Sequence, residues 1–264
     1  MHDSVESQYE SNSPLEARIQ LHQRFSTNST NWFEWYFNEM DLSEGGIILD
    51  VGCGTAEFWV MNVKKLPADV RLVLVDASEG MIKTAKRNLH NTKINVEYLV
   101  SDLCSLPFKN EHFDVVMVNH MLYHVPDDKR NEGLSELKRV LKKDGLFYAS
   151  TNGDKHLSEI TDLIIEFDPL LNPETPELHS FSLQNGTQQL ETLFTDVDCH
   201  LYDCDLKVTD ARPLVDYVQS MMSSAAEQLK KTSTGEFEKY IHRLIWAHGN
   251  IHITKEVGYF KALK

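Results

Sequence analysis

The sequence lacks the features that mark nucleic-acid-binding and membrane-spanning proteins. Positive charge is scarce, since 26 Lys and Arg stand against 40 Asp and Glu among 264 residues, a formal net charge of -14. Proteins that bind nucleic acids need clustered positive charge, so we expect no nucleic-acid partner. No apolar run approaches the ~20 residues of a membrane-spanning helix, so we also expect no membrane span.

Cysteine is scarce as well, and residues 1–13 are polar and acidic, unlike a signal peptide. No CxxC pair occurs among the four cysteines, which are Cys53, Cys104, Cys199 and Cys204. This usage predicts a cytoplasmic protein whose thiols are reduced and buried or half-buried. His242, His248 and His252 have neither a cysteine nor an acidic residue at metal-ligand spacing, so we expect no bound metal.

Short apolar runs alternate with amphipathic segments between residues 45 and 152. The runs predict strands at 47–51, 72–76, 96–99, 115–118 and 146–150, and the segments between them predict helices at 57–65, 79–89 and 129–142. The last helix is expected to end in a basic stretch before Gly145. Alternation of this kind predicts a doubly wound α/β fold with a mostly parallel sheet covered on both faces. Its ligand site is expected beyond the carboxyl ends of the strands, where the strand order reverses.

The flanking segments have other patterns. Residues 1–44 predict N-terminal helices that cover the site. Residues 153–264 predict a proline-rich loop at 168–178, strands at 197–208 and 257–263, and helices at 214–229 and 237–245. We expect the two strands to complete a seven-stranded sheet at its edge, and the helices to form a cap over an acceptor pocket. The core would then comprise residues 45–152.

The strongest single motif is the strand and glycine turn from Ile47 to Ala56. Gly52 and Gly54 let the backbone approach a ligand closely, just before a helix begins. A dinucleotide-binding fingerprint requires a further glycine where Glu57 stands. A carboxylate beside a pyrophosphate is repulsive, and no hydride-transfer pair is evident. Both facts disfavour an NAD-dependent oxidoreductase.

Acidic residues follow the next two strands. Asp76 ends the second strand, 22 residues after Gly54, where a carboxylate can accept both hydroxyl groups of a ribose. The alternative for Asp76 is a helix cap, although Ser78 already offers one. Asp102 ends the third strand and could accept the amine of adenine, with Leu103 and Met81 as apolar walls; taken alone, it reads as a surface turn residue.

Together with Asn119, which ends the fourth strand, these motifs resemble the class I S-adenosylmethionine-dependent methyltransferases. The most similar group is methyltransferase type 11, which includes ubiquinone- and menaquinone-biosynthesis enzymes, and the resemblance spans residues 47–151. It implies the Rossmann-like methyltransferase fold, with S-adenosyl-L-methionine as cofactor. The cofactor-binding residues that we expect are Asp50, Gly52, Cys53, Gly54, Asp76, Ala77, Met81, Asp102, Leu103 and Asn119.

Within this set, the resemblance gives each segment a part of the cofactor. The glycine loop holds the methionine part, Asp76 the ribose and Asp102 the adenine, while Asn119 flanks the methyl donor. Cys53 is there because a small residue fits, not as a nucleophile. The family usually has glycine at position 56, where this sequence has Ala56. We expect the extra methyl group to narrow the loop without abolishing binding.

The candidate catalytic residues follow the fourth strand. His120 and His124 could each deprotonate an acceptor, or could merely hydrogen-bond the backbone and shape the pocket, and Tyr123 could form a wall. Trp32, Trp35, Tyr36 and Phe25 could line the acceptor pocket or could simply pack together.

The sequence thus predicts an enzyme that transfers a methyl group to O, N or C of a small-molecule acceptor. The alternative is a non-catalytic S-adenosylmethionine-binding module that acts through a protein partner. The oligomeric state stays open.

Overall fold

The computed structural model describes residues 12–42, 46–171, 180–221 and 224–264. Helices in these ranges are α1 (Asn12–Phe25), α2 (Trp32–Glu39), α3 (Glu57–Asn62), α4 (Glu79–Asn88), α5 (Asp127–Val140), α6 (Ser158–Phe167), α7 (Gly186–Leu190), α8 (Ala211–Ser220), α9 (Ser224–Thr232) and α10 (Thr234–His248). Strands are β1 (Ile47–Val51), β2 (Arg71–Asp76), β3 (Asn95–Val100), β4 (Phe113–Asn119), β5 (Leu141–Asn152), β6 (Thr195–Leu201), β7 (Leu206–Val208), β8 (Ile251–Ile253) and β9 (Val257–Leu263).

The larger of two compact units is built on a seven-stranded sheet with the order β3-β2-β1-β4-β5-β9-β6. The strands from β3 to β5 are parallel, and β9 runs antiparallel to both β5 and β6. The order reverses between β1 and β4, which defines the crevice where open α/β sheets bind ligands. The predicted doubly wound, mostly parallel seven-stranded sheet is confirmed. This unit comprises the described residues of 32–154, 180–202 and 257–264.

Apolar side chains cover both faces of this sheet. One face packs Val51, Val73 and Val118 against Leu134 and Leu137 of α5. The other face has its own cluster, which contains Ile48, Leu72, Met117 and Tyr148 of the strands and Tyr36, Phe58 and Trp59 of α2 and α3. Burial of each such side chain stabilises the fold by about 1.5–3 kcal/mol. The near-continuous apolar strands are therefore a direct consequence of burial on both sides.

The smaller unit contains the described residues of 12–31, 155–171 and 203–256. Helices α1, α6, α8, α9 and α10 belong to it, with the short antiparallel pair β7 and β8. Its own core includes Leu21, Leu214, Phe237, Ile241 and Ile253, all 1% exposed or less. The two predicted N-terminal helices therefore divide between units, with α1 in the smaller and α2 in the larger. The predicted cap function of the C-terminal segment stays a prediction.

The prediction of one strand over 197–208 is wrong. The segment forms β6, which pairs with β9 in the large sheet, and β7, which pairs with β8 in the small one. Between them the chain leaves the ladder at Tyr202, whose N–H donates to the carbonyl of Val257 at 3.0 Å. Periodicity could not reveal this break because apolar residues continue across it. Helix α6 and strand β8 were not predicted.

Two predicted helix boundaries are also wrong. Helix α5 ends at Val140, before the basic stretch, and Leu141 begins β5. Lys142 pairs instead with Asp114 at 2.6 Å, and the left-handed residue in this turn is Asp144 (φ 60°), not Gly145. The single helix predicted at 214–229 is divided into α8 and α9. In the predicted proline-rich loop, residues 172–178 lie outside the described residues.

Gly258 of β9 provides a test of the sheet edge. A Cβ at this position would lie 2.4 Å from the backbone oxygen of His200 on β6, so something must shift. We expect Gly258→Ala to lower the free energy of unfolding by about 1–3 kcal/mol in urea titrations followed by circular dichroism. Gly80→Ala in helix α4 is the control, since a Cβ at this position would meet only Ser78 Oγ, at 3.6 Å. It should leave stability unchanged or raise it by up to about 1 kcal/mol. Equal stabilities for the two variants would contradict the described packing of β9 on β6.

Candidate active site

The loop that follows β1 is fastened to the end of β2. The N–H groups of Gly52 and Cys53 both donate to the carbonyl of Val75, at 2.8 and 3.0 Å. The next amide, that of Gly54, donates to Oδ2 of Asp76 at 2.9 Å. Consecutive amides of the loop are thus held by one strand end, which fixes the path of the backbone between β1 and α3.

The two glycines of this loop are required for different reasons. Gly52 has φ 76°, and a Cβ there would lie 2.9 Å from the side chain of Met121. Gly54 has φ 54°, and a Cβ there would meet nothing within 4 Å. The backbone at Gly54 therefore borders open space, as a loop that approaches a ligand closely must.

Ala56 is also in the left-handed region, with φ 62° and ψ 29°. This conformation costs an L-amino acid roughly 1–2 kcal/mol, which explains why glycine suits the position. Ala56 is 1% exposed and belongs to the cluster of Phe58 and Trp59, so its methyl group is buried in the core. The extra methyl group therefore adds backbone strain; whether it narrows the cofactor loop stays a prediction.

Asp76 uses both carboxylate oxygens to hold backbone amides. Oδ2 accepts from Gly54 and Oδ1 from Ser78, each at 2.9 Å. Ser78 itself caps helix α4, because its Oγ accepts from the N–H of Met81 at 3.3 Å. The side chain that caps the helix is thus Ser78. Each oxygen of Asp76 keeps a second lone pair with which to accept a further hydrogen bond.

Asp50 is a carboxylate in the core of the sheet. It is 2% exposed, its Oδ2 accepts from the indole Nε1–H of Trp59 at 2.8 Å, and its Oδ1 has no partner among the described residues. Burial raises the pKa of Asp50 to about 7, the Trp59 hydrogen bond opposes this shift, and the charge of Asp76 adds to it. A buried acceptor without a donor is costly, and a cationic group would supply the missing interaction.

Asn119 and His120 lie at the end of β4, at the same edge of the sheet. Ser150 Oγ donates to Oδ1 of Asn119 at 3.1 Å, which leaves the buried Nδ2 of Asn119 without a partner among the described residues. His120 has φ 49°, and its N–H donates to the carbonyl of Ser150 at 3.0 Å. Strained backbone of this kind is concentrated at functional sites.

The residues predicted around the adenine differ in exposure. Asp102 is exposed, and its Oδ1 accepts from the N–H of Cys104 at 2.7 Å. Leu103 is 6% exposed and lies in the core against Gly133 of α5. Ala77 is exposed and Met81 half-buried. Their contacts with a cofactor stay predictions.

The four cysteines are free, and Cys199 is exposed rather than buried or half-buried as predicted. At Cys53, burial raises the pKa of the thiol far above its usual range, and the charges of Asp50 and Asp76 add to the shift. A thiol held in its neutral form is a poor nucleophile. The structural role predicted for Cys53 is consistent with this environment.

Tyr123 and His124 lie in a 3-10 turn, Leu122–His124, just beyond β4. Their rings contact each other with centroids 4.5 Å apart. His124 is exposed and Tyr123 half-buried. The three candidate catalytic residues, His120, Tyr123 and His124, thus follow β4 within five residues, and their catalytic roles stay predictions.

An aromatic cluster lies on the face of the sheet that α2 covers. Trp32 stacks on Tyr36 (5.2 Å between centroids), contacts Trp35 (5.6 Å), and meets the ring of His120 edge-on (5.7 Å). Tyr36 is 1% exposed, which favours packing, whereas both tryptophans are half-buried. Phe25 packs in the core of the smaller unit.

No group of three or more His, Cys, Asp or Glu side chains in the described part of the chain is placed to hold a metal ion. One contact that the sequence did not suggest joins His252 Nε2 to Asp205 Oδ2 at 2.9 Å.

No helix in the described ranges is both long and apolar enough to cross a membrane.

Sequence reasoning missed the residues that support this site. Trp59 and Ser150, which hold Asp50 and Asn119, carry no pattern that marks them. Arg130 could have been found, because it lies at helical spacing from Gly133, Leu134 and Leu137, on the buried face of α5. A cation on an apolar stripe is unusual and calls for partners.

Comparisons with known proteins find similar sequences and similar folds. Residues 48–145 match the family model described as a methyltransferase domain. A demethylmenaquinone methyltransferase of Staphylococcus saprophyticus is 34% identical over 115 residues, which cover 44% of this chain and 48% of that protein. A carboxy-S-adenosyl-L-methionine synthase of Sulfurimonas denitrificans is 29% identical over 131 residues, 50% of this chain and 55% of that protein. The chain therefore spans about half the length of the curated relatives it matches.

Among solved structures, a protein of Bacillus halodurans, provisionally named a methyltransferase, has the same fold. Its crystal structure gives a TM-score of 0.58 at 18% sequence identity, and the match covers 88% of this chain and 98% of that one. At this identity the similarity concerns the fold alone.

The titration of Asp50 gives a test of its burial. Its folded-state pKa of about 7 lies above the ordinary value of 3.8, so between these pH values the native state binds a proton that the unfolded state has lost. The free energy of unfolding therefore contains a contribution that falls as pH rises through this window. Asp50→Asn cannot titrate, so its stability relative to the wild type should rise by roughly 2–4 kcal/mol from about pH 4 to pH 8 in urea titrations.

Asp114→Asn is the control of opposite sign. Burial opposes the shift, but hydrogen bonds from the Ile47 N–H and from Lys142 lower the pKa of Asp114. The stability of this variant relative to the wild type should therefore fall as pH rises through the carboxylate range. A stability difference for Asp50→Asn that does not change with pH would contradict the burial of an ionisable Asp50.

Proposed function

We propose that the core of this chain is a class I S-adenosylmethionine-dependent methyltransferase domain, and that the protein transfers a methyl group from this cofactor to O, N or C of a small-molecule acceptor. The observation that carries the proposal is the Asp76 carboxylate, which holds the Gly54 amide beside open space. One hydrogen bond thus joins the acid that we assign to the ribose, Asp76, to the loop that we assign to the cofactor.

The residues present fit the cofactor group by group. Asp50 offers a buried acceptor without a donor, which suits an ammonium group. Asp76 has lone pairs left for ribose hydroxyl groups, and Asn119 has a buried Nδ2–H without an acceptor. Asp102 and Met81 would contact the adenine. The acidic balance of the chain, with a net charge of -14, also suits a ligand whose own net charge is positive.

When bound, S-adenosylmethionine supplies an electrophilic methyl group on a sulfonium. Transfer of this group to an acceptor requires the attacking atom to lie in line with it, and correct orientation can contribute up to about 7–11 kcal/mol. We assign the acceptor side to His120, Tyr123 and His124. Either histidine can remove the proton of a phenol, an enol or an acidic carbon, because the reference pKa of histidine, about 6.5, lies near neutrality.

The choice of acceptors to test starts from the relatives. Because one of them is a demethylmenaquinone methyltransferase, a quinol is the first probe, and phenols and amines follow. We expect neither a nucleic acid substrate nor a membrane span. A cytoplasmic location stays a prediction from cysteine usage.

Replacement of Asp76 tests the cofactor site. Asp76→Ala removes an ionised acceptor and should weaken S-adenosylhomocysteine binding by about 1.5–3 kcal/mol, or roughly ten- to hundredfold, in calorimetric titration. Glu79→Ala is the matched control, since it removes an exposed carboxylate three residues along the chain. Its affinity should equal that of the wild type. An Asp76→Ala variant that binds as well as the parent would contradict the ribose assignment.

The activity itself is tested with S-adenosylmethionine labelled on the methyl group. The full chain is incubated with naphthohydroquinone, catechol and phenethylamine in turn, and then with the small-molecule fraction of source-cell extract. Label should enter an extractable small molecule. His120→Gln or His124→Gln should lower the rate by about 10²–10⁴-fold if the replaced histidine is the base, with cofactor affinity unchanged. Cofactor binding without transfer to any of these acceptors would favour the non-catalytic binding module instead.

A further inference from the structure

The turn that carries Tyr123 and His124 is held from outside by a buried arginine. We propose that Arg130 of α5 is a positioning residue, which fixes this turn and thereby the direction of the two side chains on the acceptor side. The functional part of this inference rests on the proposed methyl transfer. None of the sequence motifs described above includes Arg130.

Arg130 is 4% exposed, and its guanidinium contacts four uncharged acceptors and one carboxylate. Its Nε donates to the carbonyl of Leu122 at 3.0 Å and its Nη2 to the carbonyl of Val125 at 2.8 Å. These two carbonyls flank Tyr123 and His124 on either side. The planar fork of one guanidinium therefore spans the turn from end to end.

The remaining nitrogen of Arg130 reaches a second segment. Nη1 donates to the carbonyl of Ser180 at 2.9 Å and to Oε1 of Gln189 at 3.2 Å. Gln189 Nε2 donates to the same Ser180 carbonyl at 2.9 Å, and Ser180 Oγ donates to the carbonyl of Tyr123 at 3.2 Å. Three carbonyls of the turn, those of Leu122, Tyr123 and Val125, are thus held by this network.

Packing alone does not explain an arginine at this position. The same face of α5 carries the buried Gly133, Leu134 and Leu137, where an apolar residue would fill the space at no cost in desolvation. The carboxylate that contacts Arg130, that of Asp127 at 2.8 Å, is 80% exposed and so neutralises the charge weakly. Backbone carbonyls of the catalytic turn are the main buried partners. A buried charge retained for such contacts indicates a requirement for geometry.

The variants that test this inference are Arg130→Lys and Ser180→Ala. Lysine keeps the charge but cannot span Leu122 and Val125, because it lacks the planar fork. Ser180→Ala removes only the hydroxyl that holds Tyr123 and leaves Arg130 in place, so it remains informative if Arg130→Lys folds poorly.

Arg139→Lys is the matched control on the same helix. Arg139 donates to the carbonyls of Leu106 at 2.9 Å and Phe108 at 2.7 Å, and to Asn110 Oδ1 at 2.9 Å, in the loop before β4. It makes the same kind of backbone contacts at the amino end of that strand, and it also pairs with Glu136 at 2.7 Å. Replacement should lower global stability without affecting the turn after β4.

Amide hydrogen exchange measures directly how firmly the turn is held. The amides of His124 and Val125 donate to the carbonyls of Met121 at 2.9 Å and Leu122 at 3.2 Å. In Arg130→Lys and in Ser180→Ala, exchange at these amides should accelerate about tenfold. Methyl transfer should slow about ten- to hundredfold through misplacement, while affinity for S-adenosylhomocysteine stays within about twofold of the wild type.

Unchanged exchange at His124 and Val125 in both variants would overturn the inference, as would an equal acceleration in Arg139→Lys. Failure of the wild type to bind S-adenosylhomocysteine would instead contradict the proposed function. The exchange data decide separately whether Arg130 holds the turn.

Discussion

The site depends on one carboxylate at the end of β2. Asp76 accepts the amides of Gly54 and Ser78 at 2.9 Å each, so it joins the glycine loop after β1 to the start of α4. Because both amides use an oxygen each, the carboxylate has a fixed orientation, and its remaining lone pairs point to a defined place. The side chain that sets the position of the loop is therefore also the one that we propose to bind the ribose.

Several destabilising features lie around this carboxylate, at the edge where the strands end. Asp50 and Asn119 bury polar atoms without partners among the described residues, and Ala56 and His120 hold left-handed backbone. Each of these features costs about 1–3 kcal/mol. The cores on both sides of the sheet supply the stability that makes this tolerable. Several local rules are thus broken together at this edge, where a ligand is expected.

Much of this architecture could be predicted from the sequence, because apolar strands buried on both sides leave a strong pattern. The strands of the large sheet followed from that pattern, apart from the bounds of β6, and so did the places of Asp76 and Asp102 at strand ends. The role expected of Asp50, which lies within β1, came only from the family resemblance. The break between β6 and β7 could not, because its cause is pairing with β9 and β8, which are distant in sequence. The contacts of Trp59 and Ser150 were equally out of reach, because they depend on which side chains the fold brings together. Arg130 could be noticed as a cation on an apolar helix face, but its partners could not be predicted.

The most direct test of a methyltransferase site is calorimetric titration of the whole chain with S-adenosylhomocysteine, with NAD(H) as the comparison ligand. Both ligands contain an adenosine. S-adenosylhomocysteine also has the ammonium group that we propose to lie at Asp50, whereas NAD(H) has a pyrophosphate that Glu57 would repel. We expect micromolar binding of S-adenosylhomocysteine and none of NAD(H). No binding, or a preference for NAD(H), would contradict the cofactor assignment and with it the proposed transfer of a methyl group.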